Sequence, residues 1–189
     1  MDQIPKSLIT TGVIVILVLV FGGQCYQSVP AGHVAVATLF GSVKLKPYDA
    51  GLHIPVNPLY DWHLYDVRQK THLEQANVPS QDQLQTKIDV SVQYRLIRKD
   101  ASRILKETGT AQDVIKVHII PKLRSLIREQ GKSVKRAEDF FLEESQVTLQ
   151  TALLEGLRDY LSSKGIEVGA VLLRDIALPP FITKAIEQK

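Results

Sequence analysis

Between Lys6 and Lys44 the chain carries no Asp, Glu, Lys or Arg, and this gap limits what its N-terminal part can become. Inside the gap, LITTGVIVILVLVFGGQC, from Leu8 to Cys25, is almost wholly apolar. As a helix it would run about 27 Å, close to the hydrocarbon thickness of a bilayer. The sequence therefore predicts one membrane-spanning anchor, in which Leu8 and Ile9 lead into the run Val13, Ile14, Val15, Ile16, Leu17, Val18, Leu19, Val20 and Phe21. A cleaved signal peptide fits less well, because MDQIPK sets a single Lys against an Asp and GGQCYQ has no small-x-small cleavage pattern. A tail this short is easily left on the inner side, which predicts the N-terminus inside and the body across the membrane.

Cys25 is the only cysteine. An intrachain disulfide and a Cys-rich zinc site are thereby excluded, and at the end of an apolar span the side chain reads as a small hydrophobe, with palmitoylation as the lesser alternative. A net charge of +3 is too small to argue for nucleic acid, and no basic stripe is interleaved with aromatics.

After the anchor the texture is β as far as Ile97. HVAVATLF, GLHIPV, WHLYDV and THLEQANV are short β-branched and aromatic runs, punctuated by Gly41, Pro47, Asp49 to Gly51, and Asn57–Pro58. The clearest strand is QLQTKIDVSVQYRLI, where Leu84, Thr86, Ile88, Val90, Val92, Tyr94 and Leu96 alternate with Gln85, Lys87, Asp89, Ser91, Gln93 and Arg95. This predicts a long antiparallel strand with one wet face.

From Asp100 the period becomes helical. Asp100 is a candidate cap for a helix carrying Ile104 and Leu105 that ends at Gly109, and Thr110 with Asp113 forms a capping-box pattern for the next. That helix sets Ile119, Ile120, Leu123, Leu126 and Ile127 on one face, with Pro121 predicting a kink or restart. A third helix, about Leu142 to Ser163, carries Leu149, Leu153, Leu157, Tyr160 and Leu161, and IEVGAVLLRDIAL then reads as a strand. Pro179 and Pro180 open a last helical pattern with Ile182, Ala185 and Ile186. Two turns of isolated helix are unstable in water, so this segment is expected to dock or to continue into something longer. The fold class is α+β.

No HExxH, GxSxG or GxGxxG occurs, and His33, His53, His63, His72 and His118 lack ligand spacing. Gly131-Lys132-Ser133 ends like a P-loop, but Leu126 stands where its first glycine belongs. No catalytic residue, cofactor or metal is assigned. The rival reading, an anchored hydrolase, would need a site assembled from His53, His63 and His72.

Several stretches resemble the stomatin–prohibitin–flotillin (SPFH, band 7) superfamily: VPAGHVAV after the anchor, DAGLHIPV before NPLYDW, DVRQKTHLE, QTKIDVSVQYRL, HIIPKLRSLI, and GIEVGAVLLRDIALPPFITKAIEQK. The likeness covers about Val29 to Lys189, with the prohibitin-like and bacterial membrane-protease-modulator branches nearest. It implies a tail and anchor at 1–28, a β-rich first subdomain at 29–98, an α/β second subdomain at 99–179, and the start of a coiled-coil helix at 180–189. It also implies a non-enzymatic scaffold that multimerises, with itself or with a related chain, into a ring or cage. Such a scaffold would enclose a membrane microdomain and regulate a membrane-bound AAA+ protease, in a bacterial inner membrane or alternatively a mitochondrial one. A monomeric lipid- or peptide-binding module is the alternative.

Two groups of residues are the candidates for function. Tyr48, Leu59, Tyr60, Trp62 and Tyr65 concentrate amphipathic rings beside an apolar loop, which suits either a membrane–water interface or the core of a small β-domain. Lys122, Arg124 and Arg128 belong to a basic stretch, and Glu138, Asp139, Glu143 and Glu144 to an acidic one. This asymmetry suits either a solvated helix face or complementary edges between neighbours in a ring, where Ile182 and Ile186 would also pack.

Overall fold

The computed structural model describes residue 12 and residues 25–177. Apart from residue 12, the predicted anchor from Leu8 to Phe21 lies outside the described residues, as does the C-terminal helical start with Ile182 and Ile186. Among the described residues no helix is long and apolar enough to cross a membrane.

The N-terminal half is built on β2 (His33–Leu39), which pairs antiparallel with β3 (Ser42–Val43) on one edge and β5 (Asp61–Asp66) on the other. HVAVATL has no charged residue and both of its faces are covered. Val34 and Val36 join the main core with Tyr65, whereas the small residues Ala35 and Ala37 lie opposite Leu64 and Trp62. Beyond β3, Tyr48 exchanges two backbone hydrogen bonds with Ala35, of 2.7 and 2.8 Å. A second, two-stranded sheet joins β1 (Gln27–Val29) to β4 (Gly51–His53).

The other half rests on an antiparallel sheet ordered β6 (Lys70–Pro79), β7 (Gln85–Leu96), β8 (Ile166–Ala177). β7 is the alternating strand expected: Thr86, Ile88, Val90, Val92, Tyr94 and Leu96 are buried, while Gln85, Lys87 and Arg95 are exposed. Ser91 departs from the pattern. It is only 3% exposed because Leu73 and Leu172 stand opposite it on the two flanking strands, so larger side chains shelter a small one. The β7–β8 register slips twice, near Asp89/Val90 and Gln93/Tyr94. At the second slip the Arg158 guanidinium donates to the carbonyls of Val168 and Gly169, at 3.0 and 2.9 Å, satisfying backbone groups that an irregular ladder leaves without partners.

Helices cover the inner face of this sheet. α1 (Ala101–Glu107) follows a 3-10 turn at Arg98–Asp100. Asp100 makes no side-chain cap bond and pairs instead with Arg103 at 3.1 Å. α2 (Ala111–Val114) begins with the predicted capping box, in which Thr110 and Asp113 each bond the other's backbone N–H. A π-helical turn at Ile115–Ile119 separates α2 from α3 (Ile120–Gly131). The widened turn directly precedes Pro121, whose ring and missing N–H would disrupt a regular ladder there. α4 (Glu143–Ser162) buries Leu149, Leu153, Leu157 and Leu161, each worth about 1.5–3 kcal/mol of transfer free energy. Gly165, at φ +77°, then reverses the chain into β8. A Cβ there would lie 2.6 Å from that of Asp100.

Candidate membrane-docking site

Where the chain leaves Cys25, its backbone is held to the predicted interfacial loop. The Cys25 carbonyl accepts from the Val56 N–H at 2.9 Å, and the β1–β4 ladder sets Gln27 opposite His53 and Ser28 opposite Leu52. A chain that crosses a bilayer just before Cys25 thus delivers this loop to the same end of the molecule.

The side chains at this end are apolar and uncovered. Leu52 and Ile54 are 63% and 65% exposed, with Tyr26 and Leu59 also more than half exposed. The turn at Asn57 presents Leu59 outward: the Asn57 side-chain oxygen accepts from the Leu59 N–H at 2.9 Å, and its carbonyl accepts from the Tyr60 N–H at 3.2 Å. Behind the loop, Trp62 meets Tyr48 and Tyr60 edge-on, with ring centroids 5.0 and 5.8 Å apart, and Tyr48 meets His53 at 5.1 Å. His53 donates through Nε2 to the Asp49 carbonyl at 2.7 Å, and the Lys44 ammonium lies 5.7 Å from the Tyr60 ring. Rings with polar tips, a nearby cation and protruding aliphatic groups form a surface able to meet both headgroups and acyl chains.

Of the five predicted interfacial residues, the structure brings Tyr48, Tyr60 and Trp62 into ring contact and leaves Leu59 at the surface. Tyr65 is placed elsewhere. It points to the opposite face of the sheet, is 2% exposed, and donates a 2.6 Å hydrogen bond to the Gly109 carbonyl. Leu52, Ile54 and Tyr26 were not singled out from sequence. GLHIPV has the composition of a buried strand, and only the brevity of β4 signals that part of the run protrudes.

Several charged residues at the other candidate surface have partners inside the chain. Arg124 reaches across from α3 to Glu74 of β6, with contacts of 2.6 and 2.7 Å to a carboxylate that is 9% exposed. Arg128 donates to the Arg124 carbonyl, and the Lys122 ammonium lies 5.4 Å from the Tyr160 ring. Arg136 pairs with Glu138 at 3.1 Å, and its backbone N–H donates to Asp139. Glu143 and Glu144 occupy the first turn of α4, where carboxylates complement the helix dipole. Lys135, Asp139 and Glu144 share the walls of one groove.

His53, His63 and His72 stand on β4, β5 and β6. Among the described residues no group of three or more His, Cys, Asp or Glu could hold a metal ion. Asp66 is held well below the usual carboxylate range, first by its hydrogen bond from Arg68, as befits a structural ion pair.

The fold is mixed α+β, with three antiparallel sheets among the described residues and helices packed on the β6–β7–β8 sheet. The sequence model of the SPFH domain / Band 7 family matches residues 27–189, and the chain belongs to that family. Its members are generally membrane-associated and act as non-enzymatic scaffolds. No curated protein sequence matches the chain.

Proposed function

We propose that this protein is a membrane-held scaffold subunit that multimerises into a ring or cage and docks on the bilayer through the Leu52–Tyr60 end. The observation that carries this reading is the gathering of Tyr26, Leu52, Ile54 and Leu59 at the surface beside Cys25, next to the apolar run that leads into it. Anchor and loop would enter the same leaflet, fixing the tilt of the body so that neighbouring copies meet side by side. The enclosed patch would be screened from a membrane-bound AAA+ protease, with the N-terminus inside and the body across a bacterial inner membrane. The chain acts by gathering and excluding, without chemistry of its own.

The full-length protein in mild detergent tests the assembly, through its mass by light scattering and its shape by electron microscopy. A closed many-subunit particle supports the scaffold, and a monomer or dimer sinks the enclosure mechanism.

A further inference from the structure

A cleft of about 530 Å³ separates the β3 segment from α1. Ser42, Val43 and Leu45 form one wall, and Lys99, Ser102, Arg103 and Lys106 lie on the other. A neighbouring cleft shares Leu45 and Lys99 and adds Lys46, Asp49 and Arg98. Asp100 and Glu107 also line the first cleft, so five cationic side chains face three carboxylates across the pair. Asp100 is engaged by Arg103. Lys46, Arg98, Lys99 and Lys106 have no ion-pair partner among the described residues.

Two further observations narrow what such a cleft would hold. Ser102 is 4% exposed, and its hydroxyl has no hydrogen-bond partner among the described residues, a state that buried polar groups rarely keep unless something arrives to satisfy them. Leu45 is 86% exposed on the rim shared by both clefts. Excess positive charge selects an anion, a buried hydroxyl donates to an oxygen acceptor, and an uncovered aliphatic group beside them suits an amphiphile. Leu45 directly follows Lys44, whose ammonium approaches the Tyr60 ring of the proposed docking end.

We infer that this cleft binds a phosphate group, with Lys99, Lys106 and Ser102 as its principal ligands and an anionic phospholipid headgroup as its source. Only the lipid source rests on the membrane-docking reading; the phosphate chemistry stands on the cleft itself.

The test is calorimetric titration of the full-length protein in neutral detergent with dihexanoylphosphatidylglycerol, dihexanoylphosphatidylcholine or inorganic phosphate. The anionic lipid is expected to bind saturably and about tenfold tighter than the zwitterionic one. Lys99→Glu with Lys106→Glu should weaken it about tenfold, and Ser102→Ala, which changes no charge, about threefold. Lys87→Glu with Arg174→Glu, both exposed on the β7–β8 sheet and lining neither cleft, makes the same change in net charge and should cost less than about twofold. Equal affinity for the two lipids, or equal losses from the two charge-reversed pairs, would overturn the site. Inorganic phosphate binding as tightly as the anionic lipid would keep the phosphate site and reject the lipid as its source. No bilayer is present, so failure here leaves bilayer docking untouched, and failure of docking leaves this titration unaffected.

Discussion

The Tyr65 hydroxyl on β5 donates a 2.6 Å hydrogen bond to the carbonyl of Gly109, in the turn between α1 and α2. One end of the bond belongs to the β-rich half and the other to the helical half, so a buried phenol adds a directional tie to the shared apolar packing of Val34 and Val36. Tyr65→Phe keeps the ring but orphans the carbonyl, and should lower stability by about 1–2 kcal/mol in denaturant titration.

The same phenol gives an alkaline signature. Burial first, and the charge of Asp113 second, push the Tyr65 pKa from 10.0 up to about 12. A group whose folded pKa is raised holds its proton more tightly in the folded state, so its contribution is intact below pH 10 and is lost as pH rises towards 12. Burial also raises Tyr94. Unfolding free energy should therefore fall across that window in the wild type, and fall less steeply in Tyr65→Phe, where Tyr94 alone remains. Parallel slopes would contradict the assignment.

Arg124 and Arg128 should behave differently, although both lie in the basic stretch. Arg124→Glu sets a carboxylate against Glu74, which is nearly buried and loses its only cationic partner on α3. A loss of about 1–3 kcal/mol in stability is expected. Arg128 is exposed and, among the described residues, its side chain bonds only a carbonyl, so Arg128→Glu should leave melting unchanged. If the basic stretch meets a neighbour's acidic one, Arg128→Glu will shrink the detergent-extracted particle. Unchanged size in a folded variant would remove that interface.

Two glycines make close approaches of unequal tolerance. At Gly131 a Cβ would run into Val78 and lie 2.7 Å from the Pro79 backbone carbonyl, whereas at Gly156 it would meet the tip of Leu126 at 2.8 Å. Backbone cannot yield as a side-chain end can. Gly131→Ala should cost about 1–3 kcal/mol, and Gly156→Ala less, by thermal melting of the pair.

Much of the fold was legible because local signals agreed with tertiary burial. The alternation in β7, the Thr110–Asp113 box and the leucine spacing of α4 each report a face the structure uses. The misplaced residues share another cause. Tyr65 sits among aromatics three residues after Trp62, and only the pairing of β5 with β2 shows that the two rings leave opposite faces of the sheet. The Glu74–Arg124 pair joins residues on separate elements, and nothing in either local stretch announces it. Leu52 and Ile54 were hidden because exposure of an apolar residue depends on what fails to pack over it.

Docking requires the Leu52–Tyr60 end to meet a bilayer, and Trp62, the sole tryptophan, lies behind that surface as a reporter. The most direct measurement is its fluorescence in the full-length protein reconstituted into bilayers whose lipids carry bromine near the headgroup end of the acyl chains. Trp62 should be quenched, and Leu52→Asp with Ile54→Asp, both at exposed positions, should relieve the quenching without altering the melting temperature. A Trp62 emission indifferent to brominated lipid, in the wild type as in the variant, would contradict docking.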